Sequence, residues 1–125
     1  MLQTIFLVSV GAVVGANARY FISRWIARYF SASLPYGTLF INVSGSFVLG
    51  FFLVWSTERV LADPRWRALV AIGFCGSYTT YSSFAFESLA LMQQGQWMLS
   101  AMNILGNNLL TLAAVLAGAA LARGL

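Results

Sequence analysis

The sequence predicts an all-α integral membrane protein of four transmembrane helices, the third of them broken near its centre. Three observations carry this. Of 125 residues, 60% are hydrophobic and only 8% are charged, against about 25% charged in a soluble domain; the mean hydropathy is +0.81. The apolar residues fall into four segments, each long enough to supply the roughly 20 helical residues that cross hydrocarbon. The third segment, Ala68 to Met92, carries GFCGSYTTYSSFAFE at Gly73–Glu87. Gly73, Gly76, Ser77, Thr79, Thr80, Ser82 and Ser83 are poor helix formers. Irregular backbone survives in hydrocarbon only where protein or a polar cavity satisfies it, and such breaks expose groups that hold ions. The break is expected near Gly76–Thr80.

The chain is read as a single domain, residues 1–125. Met1 to Phe21 lacks a basic start and a small-residue cleavage site, so no cleavable signal is expected. All basic residues are arginine, there is no histidine, and the net charge is +4. In a soluble chain that balance would suggest nucleic acid; here the arginines sit near helix ends, where membrane topology explains them. The one cysteine, Cys75, has no partner for an intrachain disulfide and reads as a small buried apolar residue. With three carboxylates in all, acid–base pairs are scarce and an enzyme is not expected.

Helix one is expected from about Leu2 to Phe30. Gly11 and Gly15 form a G-x-x-x-G pair that permits close helix contact. Arg19 lies where a charge becomes expensive, facing either protein and a water-filled vestibule or, by snorkelling, the headgroups. Ser31 to Gly37, with Pro35, is a connection. Helix two runs from about Thr38 to Thr57, with Thr38, Asn42 and Ser46 spaced by four on one face. Asn42 lies in an apolar run, where its amide needs partners. Glu58 to Arg67 is the most charged loop. Helix three follows to about Met92. Beyond its break Tyr81, Phe84 and Glu87 succeed one another by threes, and Glu87 is the only carboxylate inside a span, a functional candidate or half of a buried structural pair. Gln93 to Gln96 is a turn around Gly95. Helix four runs from about Trp97 to Ala122, with Asn103, Asn107 and Thr111 on one stripe and Asn108 beside it.

Four spans place both termini and the charged loop on one face, with Arg59, Arg65, Arg67 and Arg123. The other face holds Arg24 and Arg28, with Arg19 nearby. So weak a positive-inside bias lets a chain insert both ways up. Four helices alone make a thin bundle with exposed polar stripes, so a dimer is expected, with an antiparallel arrangement open to it. Amides, hydroxyls and arginines donate hydrogen bonds and suit a small anion. Aromatic ring edges carry partial positive charge and suit it too. Carbonyls freed at the break suit a cation instead. Two other functions compete: an exporter of cationic drugs working through Glu87, and a non-conducting assembly subunit, which leaves two aligned polar stripes unexplained.

GFCGSYTTYSSFAFE resembles the G-x-x-G-G-x-T-T-F-S-T-F-x-x-E signature of the Fluc-type (CrcB-like) fluoride channels. G-A-x-x-R at Gly15–Arg19, GTLFINVSG at Gly37–Gly45 and the asparagine track of helix four match as well. The resemblance covers nearly the whole chain. It implies a multi-pass protein of the bacterial cell (inner) membrane, an antiparallel, dual-topology homodimer with two pores that exports cytoplasmic fluoride passively and confers fluoride resistance. It implies pore roles for Tyr81, Phe84, Asn42, Asn103, Asn107 and Thr111, joined by Ser82 and Thr38, with Arg19 at the vestibule. It further implies a structural Na⁺ at the dimer centre, held by the main-chain carbonyls of Gly76 and Thr79 from both subunits. The chain departs from the signature at Ser77, Tyr81 and Ser83. Tyr81 adds a hydroxyl at a pore position and leaves open a heterodimer with a paralogue bearing phenylalanine there.

Overall fold

The computed structural model describes all of residues 1–125 and is entirely helical and irregular backbone, with no strand. Helix α1 spans Leu2–Tyr29 and α2 spans Tyr36–Val54, continued by π-helical turns over Trp55–Arg59. The third crossing is built of pieces. A single turn, α3 (Pro64–Trp66), runs into a π-helical stretch, Arg67–Cys75, and then into one more turn, α4 (Gly76–Tyr78). Thr79 and Thr80 are extended, and α5 (Tyr81–Gln93) resumes beyond them. A turn around Gly95 (φ +75°) leads to α6, Trp97–Gly124. Leu2–Tyr29, Tyr36–Arg59 and Trp97–Gly124 are long and apolar enough to cross a membrane without interruption. The break expected near Gly76–Thr80 falls at Thr79–Thr80.

Local signals set the ends of the third crossing. Asp63 caps α3, accepting the Arg65 N–H at 2.8 Å, with Pro64 at the first helical position, where a missing N–H costs nothing. The Arg65 guanidinium, and then its backbone N–H, hold the Asp63 carboxyl below its ordinary range. Thr80 caps α5 through its Oγ1, which accepts the Ser83 N–H at 3.2 Å. At the other end of the bundle, Arg123 forms a two-pronged ion pair with Glu58 (3.0 Å each). That pair ties the C-terminus of α6 to the end of the second crossing, placing the charged loop and the C-terminus on one face, as the sequence predicts.

Glycines set the packing of the first and third crossings. A Cβ on Gly11 would overlap the Leu69 carbonyl, and one on Gly15 the Phe74 carbonyl; one on Gly73 would meet Val8 and Gly11. These are backbone-to-backbone contacts, so no side chain can move aside. The G-x-x-x-G pair therefore faces the π-helical stretch and lets it lie directly on α1. The broadest of the helix contacts is between α2 and α6, where Gly50 and Gly118 allow the same approach. Only 24 of 125 residues are buried, while Phe6, Val13, Leu112 and Leu116 are among many large apolar side chains left exposed. A soluble chain could not carry so large a contiguous apolar surface; lipid or a second copy must cover it.

Candidate functional site

The break opens a cavity of about 250 Å³ between α2, the third crossing and α6. Its lining is Asn42 and Ser46 from α2, Thr79 to Tyr81 and Phe84 from the break and α5, and Asn107, Asn108 and Thr111 from α6. Asn42 and Ser46 of one polar stripe and Asn107 and Thr111 of the other thus meet the aromatic pair here, while Asn103, expected in the pore, does not line the cavity and stands behind Asn107. Phe84 is buried (5% exposed) and Tyr81 largely exposed (74%). Their rings meet edge to face, with centroids 5.1 Å apart, the arrangement ring quadrupoles favour.

Asn42 is the residue around which the break is organised. Its Oδ1 accepts the Thr80 N–H at 2.8 Å, and its Nδ2 donates to the Thr80 carbonyl at 2.9 Å. Because the Thr80 N–H can only donate, the atom it meets must be the amide oxygen, which fixes the way the amide points. Its remaining N–H reaches Asn107 Oδ1 at 3.0 Å. Asn107 Nδ2 in turn donates to the Asn103 carbonyl and Asn103 Oδ1, each at 3.0 Å. Asn103 Nδ2 donates to Ser88 Oγ at 3.0 Å, and Ser88 Oγ to the Phe84 carbonyl at 2.8 Å. The asparagine stripe is thus a directed relay, buried from Asn42 to Ser88, and both N–H groups of Asn42 are already bonded. Thr111 Oγ1 returns to the Asn107 carbonyl of its own helix.

The break also changes which carbonyls have partners. In a continuous α-helix the Thr80 N–H would bond the Gly76 carbonyl, and the Ser83 N–H the Thr79 carbonyl. Asn42 takes the first and Thr80 Oγ1 the second. The Gly76 carbonyl consequently accepts no hydrogen bond, and that of Thr79 accepts only a long one, 3.5 Å, from Arg19 Nη1. Arg19 is half-buried beside the break. Gly76 is at the surface of the protomer.

Thr38 and Ser82 lie elsewhere. Thr38 donates to Glu87 Oε1 at 2.7 Å. Both residues line a second cavity of about 340 Å³, bounded by Ser23, Arg24 and the Ser31–Gly37 connection. Glu87 Oε2 is buried without a partner. Ser82 is exposed, 3.5 Å from Thr80 Oγ1. Cys75 is fully buried. Three residues of consequence escaped the sequence reading as individuals. Thr80 was visible only as one of a hydroxyl run, though threonine is a favoured residue just before a helix. Ser88 and Ser100, which joins α6 to the Ser88 carbonyl at 2.9 Å, carry no local signal.

Residues 6–119 match the family described as CrcB-like protein, Camphor Resistance (CrcB). The chain is 60% identical over 118 residues to a Koribacter versatilis protein named fluoride-specific ion channel FluC, covering 94% of each. It is 42% identical over 122 residues to the protein of that name from a Sulfurihydrogenibium species, covering 98% of each. A Roseiflexus protein, again of that name, is 44% identical over 121 residues, covering 97% of this chain and 98% of the relative. With the family match spanning nearly the whole chain and relatives this similar end to end, the chain belongs to the CrcB-like family of Fluc-type fluoride channels, multi-pass membrane proteins.

Proposed function

We propose that this chain is a fluoride-selective channel that lets cytoplasmic fluoride leave passively, through two pores of an antiparallel, dual-topology homodimer in the bacterial inner membrane, so conferring fluoride resistance. The observation that carries the reading is the cavity at the break, where Tyr81, Phe84 and Thr111 stand together against the asparagine relay. The names of the relatives support the choice of ion. A fluoride ion must exchange water for weaker partners as it crosses. The ring edges of Tyr81 and Phe84 offer partial positive charge in a confined apolar wall. The hydroxyls of Thr79, Thr80 and Thr111 donate to the Cys75 carbonyl, Ser83 Oγ and the Asn107 carbonyl, and each would turn from that partner to donate to an ion. The asparagines serve more by holding the wall in place than as open donors, since both N–H groups of Asn42 and of Asn107 are bonded within the protomer. Arg19 supplies fixed positive charge at the vestibule.

The Gly76 and Thr79 carbonyls suit a structural Na⁺ at the dimer centre. They are neutral, hard oxygens left without a full hydrogen-bond partner, and Gly76 faces outward where a second copy would bring its own pair. The bound cation would neutralise four converging dipoles and join the two subunits. Thin burial and exposed polar wall residues support a homodimer rather than a lone bundle. Expression in a bacterium stripped of its own fluoride defence tests the cellular role. Growth should be restored in millimolar-range fluoride by this chain, and a failure to restore growth, with the protein present in the membrane, overturns it.

A further inference from the structure

We propose that Asn42 is a positioning residue for the cation site at the helix break, by withdrawing from the Gly76 carbonyl the one N–H that a continuous helix would give it. This rests on the sodium reading above.

Thr80 has extended backbone angles (φ −148°, ψ 122°). Asn42 bonds both its N–H (2.8 Å) and its carbonyl (2.9 Å) through one side chain. That is the pairing a neighbouring strand gives an extended residue, here supplied by an amide reaching across from α2. An asparagine serving only to join helices would need a single bond to any neighbour. This one satisfies both backbone groups of the residue at which the helix stops, and both are buried. If Asn42 is removed, the buried Thr80 N–H loses its side-chain acceptor. The acceptor in helical register is the Gly76 carbonyl, four residues back. Re-forming that bond extends α4 through the break and turns the Gly76 oxygen away from any cation.

The relay behind Asn42 gives the arrangement its direction. Because Oδ1 faces the Thr80 N–H, Nδ2 must face Asn107, which must offer Oδ1 and send its own Nδ2 on to Asn103. The stripe on α6 therefore holds Asn42 in the one orientation that keeps the break open. Gly45 contributes space: a Cβ there would overlap the side chains of Thr79 and Tyr78.

The test is the sodium dependence of dimer stability in detergent, comparing Na⁺ with N-methylglucamine at equal ionic strength. The readout is the shift in dimer melting temperature on adding sodium, which a purely structural loss of stability would leave unchanged. Wild type should show an upward shift. Asn42→Ala should lose that shift. Asn42→Asp, assayed at a pH acid enough to keep the carboxyl protonated, offers an oxygen to the Thr80 N–H and its O–H to the Thr80 carbonyl while Asn107 stays as it is, so the shift should return. No shift in wild type overturns the sodium reading and this inference with it. A full shift in Asn42→Ala overturns the inference alone. Should Asn42→Ala fail to assemble, Asn42→Asp decides: a retained shift supports the positioning role, and a lost shift in a folded Asn42→Asp dimer overturns it.

Discussion

Replacing Phe84 by isoleucine separates a ring that conducts from a ring that merely fills space. Phe84 is 5% exposed and forms part of the cavity wall at the break. Isoleucine keeps much of the bulk, and a single substitution of this kind costs about 0.5–3 kcal/mol, so the protein should still fold and dimerise. What goes is the ring edge. Edge-to-face aromatic pairs are worth about 0.5–1.5 kcal/mol beyond the area they bury; an anion at the same ring edge is assigned that energy, and each 1.36 kcal/mol is tenfold in rate. Loss of one such contact from the transit barrier therefore slows fluoride by roughly two- to twelve-fold. The substitution has a second effect. Tyr81 is held edge to face against Phe84 at 5.1 Å, and without that neighbour its own ring loses its set orientation. If both contacts act on the ion, flux should fall about tenfold or more. The assay is initial fluoride efflux from proteoliposomes with a fluoride electrode, at equal protein incorporation and with dimer content checked by size exclusion. Efflux at the wild-type rate from a dimeric Phe84→Ile protein would refute the pore role of this ring.

Other outcomes follow from the same geometry. Tyr81→Phe should keep or raise fluoride flux and leave stability within about 0.5 kcal/mol, because an exposed hydroxyl without a partner is removed; a large loss of flux would show that the hydroxyl itself is needed. Gly15→Val should destabilise the protein by about 1–3 kcal/mol or more, since its Cβ would overlap the Phe74 backbone; unfolding in mixed detergent measures it, and an unchanged midpoint would contradict the direct packing of α1 on the π-helical stretch. Single cysteines placed at Leu125 in an otherwise cysteine-free chain should be labelled from both sides of the membrane; labelling from one side only would rule out dual topology. Glu58→Gln should leave flux unaltered, because its pair with Arg123 lies on the exposed end of the bundle, far along α6 from the cavity; a change in flux would place that end on the ion path.

How far the sequence disclosed this arrangement depends on the reach of the forces involved. The break was legible because its signal is local: in a run of poor helix formers the chain leaves the helix, though only at Thr79 and Thr80, while Gly73, Gly76, Ser82 and Ser83 stay helical. The stripes on α2 and α6 were legible from spacing alone, and Asn42 does meet Asn107. The π-helical winding of Arg67–Cys75 was not legible. It belongs to a stretch laid directly on the glycines of α1, and nothing in its own periodicity announces such a contact. Thr38 shows a different limit. It shares a face with Asn42, but one turn of helix is about 5.4 Å along the axis, enough to place it in the second cavity beside Glu87. Tyr81 and Phe84 likewise share a face by spacing, yet one is exposed and the other buried, because the depth of each is set by α2 and α6 rather than by α5. Hydrogen-bond direction was beyond reach: only with the Thr80 N–H in place does the orientation of Asn42, and hence of Asn107 and Asn103, become determined.

A passive and selective path for fluoride through the broken crossing can be measured as ion efflux from liposomes holding the purified protein. With potassium fluoride inside and valinomycin added to carry the compensating charge, fluoride should leave rapidly, at a rate independent of a proton gradient. Liposomes loaded with potassium chloride should retain it. Chloride leaving as readily as fluoride, or neither ion leaving from liposomes shown to contain the dimer, would contradict the account.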